Sequence, residues 1–401
     1  MPQDDMLEHS LKAQSLLLPS AASRRPLTDF FTRALSAFQS SSDAAQKFQV
    51  ICTAPSHAST SAAAEALGKS YPQQPPAPIS PTKRPHTLIV LDSSFNPPTL
   101  AHLRMATSAV EDIIKRKGKG EIDGVRLLLL LAVVNADKAP KPAAFDQRLA
   151  MMWAFARDVQ RALREDEDER PDVLASGPGP KPQLNNQEAE QKQGLDIAVD
   201  ISLTAKPFFH EKSRAMAESE FYKPPPPEQK EGGKEDTMEQ VILAGYDTLI
   251  RIFNPKYYGP PPTSVTQVAT QIRHVHDPSK KGTPMQQALD LFFSRAKLRV
   301  TMRTDDEWGG KAEQMAYLES LLSEEGLQKI GGSKGWKDRI EMVERLTEER
   351  DSTEVVSSTY ARKAAEREEW GKLGRLVSPG VGKWIEGERL YVVDVRPGDV
   401  D

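Results

Sequence analysis

Cysteine is almost missing from this chain of 401 residues. Cys52 stands alone, so neither an intramolecular disulfide framework nor a cysteine-rich zinc module can be built. Long apolar runs are also missing. The longest, Leu127 to Val134, falls far short of the roughly 20 residues that cross a bilayer as a helix. Basic excess is absent too: 53 Lys and Arg face 57 Asp and Glu, a net charge of −4 that leaves no footprint for a nucleic-acid partner. The first residues carry Asp4, Asp5 and Glu8 ahead of any arginine, unlike a secretory or mitochondrial leader. A reducing cytoplasmic or nuclear location, with no membrane partner, is expected.

Proline is plentiful and bunched. Eight of 31 prolines fall between Tyr71 and Pro98, four between Pro171 and Pro182, and four stand in a row at Pro224 to Pro227. Such tracts bury too little apolar surface to offset chain ordering. The sequence therefore predicts one sizeable domain rather than the two or three that length alone would suggest. Residues 1–26 are expected to be disordered, 27–60 to form a helix and strand packing on the core, and 61–85 to be a linker. Residues 86–395 would form the main domain, with disordered inserts at 165–194 and 222–237. Leu27, Phe30, Phe31, Ala34, Leu35 and Phe38 share one helical stripe, with Thr28 a candidate N-cap. That stripe would pack on its own domain or offer itself to a protein partner.

Strands are predicted at 48–54, 86–92, 125–134, 195–204, 238–245, 298–303 and 390–395. Helices fall between them, including 99–115, 145–163, 311–329, 337–349 and one after Ser358. The run Val125 to Val134 is continuously apolar, as a strand covered on both faces should be. Alternating strands and helices indicate an α/β class, a Rossmann-like, doubly wound parallel sheet. Ligands in such sheets sit beyond the carboxyl ends of the strands.

Three strand-to-helix junctions carry chemistry. In LIVLDSSFNPPTLAHLRM (Leu88 to Met105), Ser93 and Ser94 allow close backbone approach. Thr99 and His102 then lie on one face of the first helical turn, whose N–H groups suit phosphate. Taken alone, the same residues describe an N-capped helix with a surface histidine. In VILAGYDTLIRIFNPKYYG (Val241 to Gly259), Asp247 follows a strand end, where a carboxylate can hold ribose hydroxyls. It could equally cap a helix, with the tyrosines in the core. In VVSSTYARKAAE (Val355 to Glu366), Ser357, Ser358 and Thr359 open a helix and Arg362 lies one turn on. A guanidinium fork there could grip phosphates, or simply be solvated.

SSFNPPTLAH resembles the (H/T)xGH signature of the nucleotidyltransferase superfamily, and VSSTYAR resembles its ISSTxxR motif. LDSSFNPP, ADKAPKPA and GYDTLIRIF together resemble the fungal-type branch of the nicotinamide mononucleotide adenylyltransferases, over about Phe48 to Gly371. The resemblance implies adenylyl transfer from ATP to nicotinamide mononucleotide, giving NAD and pyrophosphate, with Mg²⁺ as cofactor and no protein metal cage. It implies His102 and Arg362 as catalytic residues. ATP would be bound by Ser93, Ser94, Phe95, Thr99, His102, Lys138 or Lys141, Ser357, Ser358, Thr359 and Arg362. Pyridine nucleotide would be bound by Ser94, Phe95, Asn96, Gly245, Asp247, Tyr257 or Tyr258, and Arg303. Two positions depart from the family: Thr99 stands where many relatives have histidine, and Ala101 where most have glycine. Alternatives are transfer to nicotinate mononucleotide or another phosphate acceptor, and a non-catalytic nucleotide-binding scaffold.

Overall fold

The computed structural model describes residues 21–41, 48–56, 76–133, 143–165, 195–223, 237–258, 282–302, 309–343 and 356–392. Seven strands form one sheet: β1 (Phe48–Ala54), β2 (Thr87–Asp92), β3 (Val125–Ala132), β4 (Ala198–Thr204), β5 (Glu239–Gly245), β6 (Ala296–Thr301) and β7 (Ile340–Val343). Their order is β1-β4-β3-β2-β5-β6-β7. Every neighbouring pair is parallel except β1 with β4, so the expected all-parallel sheet gains an antiparallel edge.

The chain winds outward from β2 through β3 to β4, then returns to place β5 on the other side of β2. Leu91 of β2 pairs with Leu243 of β5, and Asp92 with Leu130 of β3. The winding direction thus reverses between β2 and β5, which opens a crevice above their carboxyl ends. The junctions after Asp92 and after Gly245 are neighbours there, although they are 153 positions apart in the sequence.

The alternation of each strand decides which helices cover which face. Ile89, Leu91, Leu127, Leu129 and Leu131 face one core with α1 (Ala21–Ser40), α2 (Leu100–Lys117), α3 (Phe145–Glu165), α9 (Ser358–Glu366), α10 (Trp370–Gly374) and α11 (Pro379–Gly387). Leu88, Val90, Leu128 and Leu130 face the other, with α4 (Phe209–Glu218), α5 (Tyr246–Ile252), α6 (Pro284–Phe293), α7 (Lys311–Leu321) and α8 (Glu324–Lys329). Both faces of β3 are therefore dry, which its unbroken apolar run requires. None of the described helices is long and apolar enough to cross a membrane.

The N-terminal helix is longer than its apolar stripe suggested. Thr28 lies inside it, its hydroxyl donating to the Arg24 carbonyl (3.2 Å), so it is not the N-cap. Phe31 is fully buried against the first core, and Thr32 bonds Asp146 of α3. This apolar face is occupied within the chain. Residues 76–79, read as linker, run beside β1: Thr53 N–H donates to Ala77 O and Ile79 N–H to Thr53 Oγ1. Tyr222, placed in an insert by its proline-rich neighbours, is fully buried and donates to Asp200 (3.0 Å).

Two further expectations fail for reasons of backbone geometry. Residues 337–349 were expected to be helical, but a 3₁₀ turn, Lys334–Arg339, leads into β7, where Glu341 is exposed between half-buried Ile340 and Met342; residues 344–349 lie outside the described residues. Leu390 and Tyr391, expected in a last strand, form a turn, because Arg389 and Tyr391 have φ of 48° and 70°. Extended backbone requires negative φ. Residues 134–142, 166–194, 224–236 and 393–395 lie outside the described residues, as do Lys138, Lys141 and Arg303.

Candidate active site

Above β2 the chain turns sharply. Ser93 N–H still reaches Leu130 O (3.3 Å), and Phe95 then adopts φ of 45° with its ring fully buried between His102 and Phe155. Asn96 and Pro97 follow, joined by a cis peptide bond, and Thr99 opens α2. His102 is the pivot of this turn. Its Nδ1 accepts from the Thr99 N–H (3.0 Å) and lies 2.9 Å from Thr99 Oγ1, while Nε2 sits 3.0 Å from Ser93 Oγ. A ring nitrogen that accepts from a backbone N–H carries no proton, so the proton is on Nε2, directed to the crevice side. His102 is a hydrogen-bond donor at this position.

Thr99 also changes role. It is 1 % exposed, its hydroxyl turned to the imidazole, so it orients His102 and presents nothing to a ligand. The Leu100 N–H, one of the helix-opening groups expected to be free for phosphate, donates to Leu376 O (3.0 Å). Ser94 is exposed and Ser93 half-buried at the crevice.

The third junction closes on the first. Ser357 caps α9 by accepting from the Tyr360 N–H, and Ser358 Oγ donates to Pro97 O (2.8 Å). Arg362 donates through Nη1 to Asn96 O (2.8 Å) and through Nη2 to Thr359 Oγ1 (3.2 Å). Two residues of α9, more than 260 positions along the chain, thus grip this turn. The guanidinium fork is held by two oxygens, which fixes its plane.

Three residues here were not picked out as site residues. Arg148 is buried in α3, donating to Ala143 O (2.8 Å), with its guanidinium 4.9 Å from the Phe145 ring. Burial holds Arg148 below the usual guanidinium value; the Tyr391 phenol opposes this and Arg362 adds to it. Tyr391 donates to Asn96 Oδ1 (2.9 Å), and burial raises its phenol, with Arg148 and Arg362 pulling it back down. Lys212 pairs with Asp92 Oδ2 (2.5 Å), both side chains nearly buried at the end of β2. The run RLAMM around Arg148 held a signal; Tyr391 and Lys212 had none beyond their residue type.

At the second junction Gly245 caps α5 and Asp247 stands in its first turn. A Cβ added to Gly245 would meet Asp247 Oδ1 at 2.9 Å, so the carboxylate is folded back over the glycine and a side chain there would displace it. The tyrosines part company. Tyr257 is half-buried under Lys256 Nζ (4.7 Å from its centroid), whereas Tyr258 lies in the second core with its hydroxyl donating to Ile252 O (2.6 Å). Tyr258 is a core residue, already packed against His210 at 5.7 Å.

His210 itself gives a pH-dependent stability. It stacks on Phe208 at 7° and 5.8 Å, its Nε2 has no hydrogen-bond partner among the described residues, and burial, with Arg295 nearby, lowers it from 6.5 to about 4. The unfolded chain therefore binds more protons than the folded one between these values. The contribution is intact above pH 6.5 and is lost as pH falls toward 4. His210→Phe keeps the stack and removes the titration. Between pH 7 and 4.5 the variant should lose roughly 2–3 kcal/mol less stability than the parent chain. Urea unfolding at both pH values measures this, and equal losses would refute it.

Among the described residues, no group of three or more His, Cys, Asp or Glu is arranged to hold a metal ion. No protein-family model matches the chain. A solved structure, Plasmodium falciparum nicotinic acid mononucleotide adenylyltransferase complexed with APC, aligns over 76 % of this chain and 97 % of its own, at 11 % identity and a TM-score of 0.32. Over 278 residues, 69 % of this chain and 75 % of the relative, the sequence is 28 % identical to a Schizosaccharomyces pombe protein named "Putative nicotinamide mononucleotide adenylyltransferase".

Proposed function

We propose that the protein transfers the adenylyl group of ATP to nicotinamide mononucleotide, forming NAD and pyrophosphate. One observation carries the reading: His102 and Arg362 converge on the Ser93–Thr99 turn at the point where the sheet reverses its winding. That is where an α/β sheet of this kind receives a nucleotide. The relative of similar sequence supports the choice of reaction.

The mononucleotide phosphate attacks the α-phosphorus of ATP in line, and the bond to the pyrophosphate oxygen breaks. The attacking oxygen is already anionic, so no side chain must remove a proton. Positioning and stabilisation of developing charge then account for the rate. His102 Nε2–H donates to a phosphate oxygen in place of its bond to Ser93. Arg362 presents its fork to the phosphates from α9, and Asp247 accepts from ribose hydroxyls above β5. Mg²⁺ fits as the partner of the ATP phosphates, since the donors here are hydroxyl, imidazole and guanidinium groups rather than a carboxylate cage, and it would neutralise phosphate charge.

The test is an assay of the full chain with ATP, Mg²⁺ and nicotinamide mononucleotide, reading pyrophosphate and NAD together. A parallel arm replaces the acceptor with nicotinate mononucleotide. NAD formed in step with pyrophosphate is the expected result; ATP binding with neither product would overturn the proposal.

A further inference from the structure

The end of the described chain reaches into the candidate site by an unusual backbone path. Beyond α11, Arg389 and Tyr391 both take left-handed φ, 48° and 70°, and Glu368, which accepts from Arg389 Nη2 (3.1 Å), does so as well at 54°. None is a glycine, so each conformation costs free energy that the surroundings must offset. The path delivers a single side chain. Tyr391 is half-buried, its hydroxyl donating to Asn96 Oδ1 at 2.9 Å and lying 3.9 Å from Met151 Sδ. Asn96 is the residue whose carbonyl receives Arg362, so one residue of the turn is held through its side chain by Tyr391 and through its main chain by Arg362.

We propose that Tyr391 is a positioning residue for the reaction. Its hydroxyl fixes Asn96, and Asn96 in turn fixes the guanidinium of Arg362 at the height of the ATP phosphates. Tyr391 touches neither substrate in this scheme. The proposal rests on the adenylyl-transfer reading given above.

Tyr391→Phe removes the hydroxyl and keeps the ring in its packing. The expected result is a KM for ATP raised roughly 3–10-fold, the scale of one lost hydrogen bond, with the KM for nicotinamide mononucleotide nearly unchanged. Asn96→Ala removes the same bond from the other side, so Asn96→Ala/Tyr391→Phe should be no worse than Asn96→Ala alone. A merely structural role would move both KM values together, and additive losses in the double variant would mean that the two residues do not act through their shared bond. Either that pattern or unchanged kinetics in Tyr391→Phe overturns the proposal. Titrating ATP and Mg²⁺ alone, without acceptor, reads the same weakening in the absence of turnover. The two readings thus fail separately: a parent chain that binds ATP but makes no NAD sinks the reaction, and equal ATP affinity in parent and Tyr391→Phe sinks the role of Tyr391.

Discussion

Replacing His102 with alanine should lower the turnover of adenylyl transfer by about 10²–10³-fold, the usual cost of removing one preorganised donor aimed at developing charge. Apparent affinity for ATP should change far less, because the ground-state phosphates keep Arg362. Removal of the imidazole has a second, structural consequence. Nδ1 accepts the Thr99 N–H at the start of α2, so alanine leaves that amide without its partner and costs about 1 kcal/mol, the scale of a lost helix cap. His102→Gln separates the two effects. A glutamine three residues into a helix can reach back to the capping N–H with its Oε1, restoring stability, but its flexible amide does not hold a preorganised N–H at the fixed position of Nε2. Turnover should therefore stay low in His102→Gln while the unfolding midpoint returns to that of the parent. Steady-state kinetics with melting curves on both variants decide the point. A His102→Ala enzyme with turnover within a few-fold of the parent would remove His102 from the mechanism.

The first two junctions were legible because each is local, while of the third only the helix start at Ser357 and Ser358 is described. A strand end, small or hydroxyl residues and a helix start occupy ten or so consecutive positions, and the periodic pattern fixes where the strand stops. That the sheet reverses its winding somewhere also follows from the alternation of strands and helices; that it does so between β2 and β5 does not. Local patterns say nothing of how a side chain is shared. Thr99 looked like a ligand hydroxyl and instead turns inward, because the imidazole one turn along is its nearest partner. Tyr258 looked like a ring on offer, yet the helix Tyr246–Ile252 carries it into the core. Tyr391 was hidden for another reason. LYVVDV reads as a strand, yet Leu390 and Tyr391 lie in a turn, with left-handed φ at Arg389 and Tyr391 and Arg389 held by Glu368. Arg148 sat in view within its apolar helix but needed Arg362 and Tyr391 beside it to acquire meaning.

One charged residue in an apolar strand carries the second large effect. Asp200, in the middle of the buried strand Ala198–Thr204, is fully buried and accepts from Arg126 Nε (2.9 Å) and Nη2 (2.6 Å), Thr53 Oγ1 (2.8 Å) and Tyr222 (3.0 Å). The three partner residues come from β1, β3 and the 3₁₀ turn Glu220–Tyr222, and Arg126 also donates to Ile79 O, so one carboxylate ties the antiparallel edge and residues 76–79 to the parallel sheet. Burial alone would lower Arg126, but the charge of Asp200, its hydrogen bonds and the Tyr222 phenol together outweigh it and hold the guanidinium above its usual value. Burial and Asp200 together push the Tyr222 phenol well up, so it remains a donor. Asp200→Ala strands a buried guanidinium and two hydroxyls, and should cost roughly 3–5 kcal/mol. That is a large part of the 5–15 kcal/mol or so that holds a typical domain folded. Removing the whole network differs from breaking it. Asp200→Leu, Arg126→Met and Tyr222→Phe together leave no orphaned charge, and the triple variant should recover most of the loss, because apolar replacements of buried ion pairs are often neutral or stabilising. Denaturant midpoints of the parent, single and triple variants test this. A single variant within about 1 kcal/mol of the parent would mean that water or a rearranged side chain satisfies Arg126, and the carboxylate would then not be what fastens the edge.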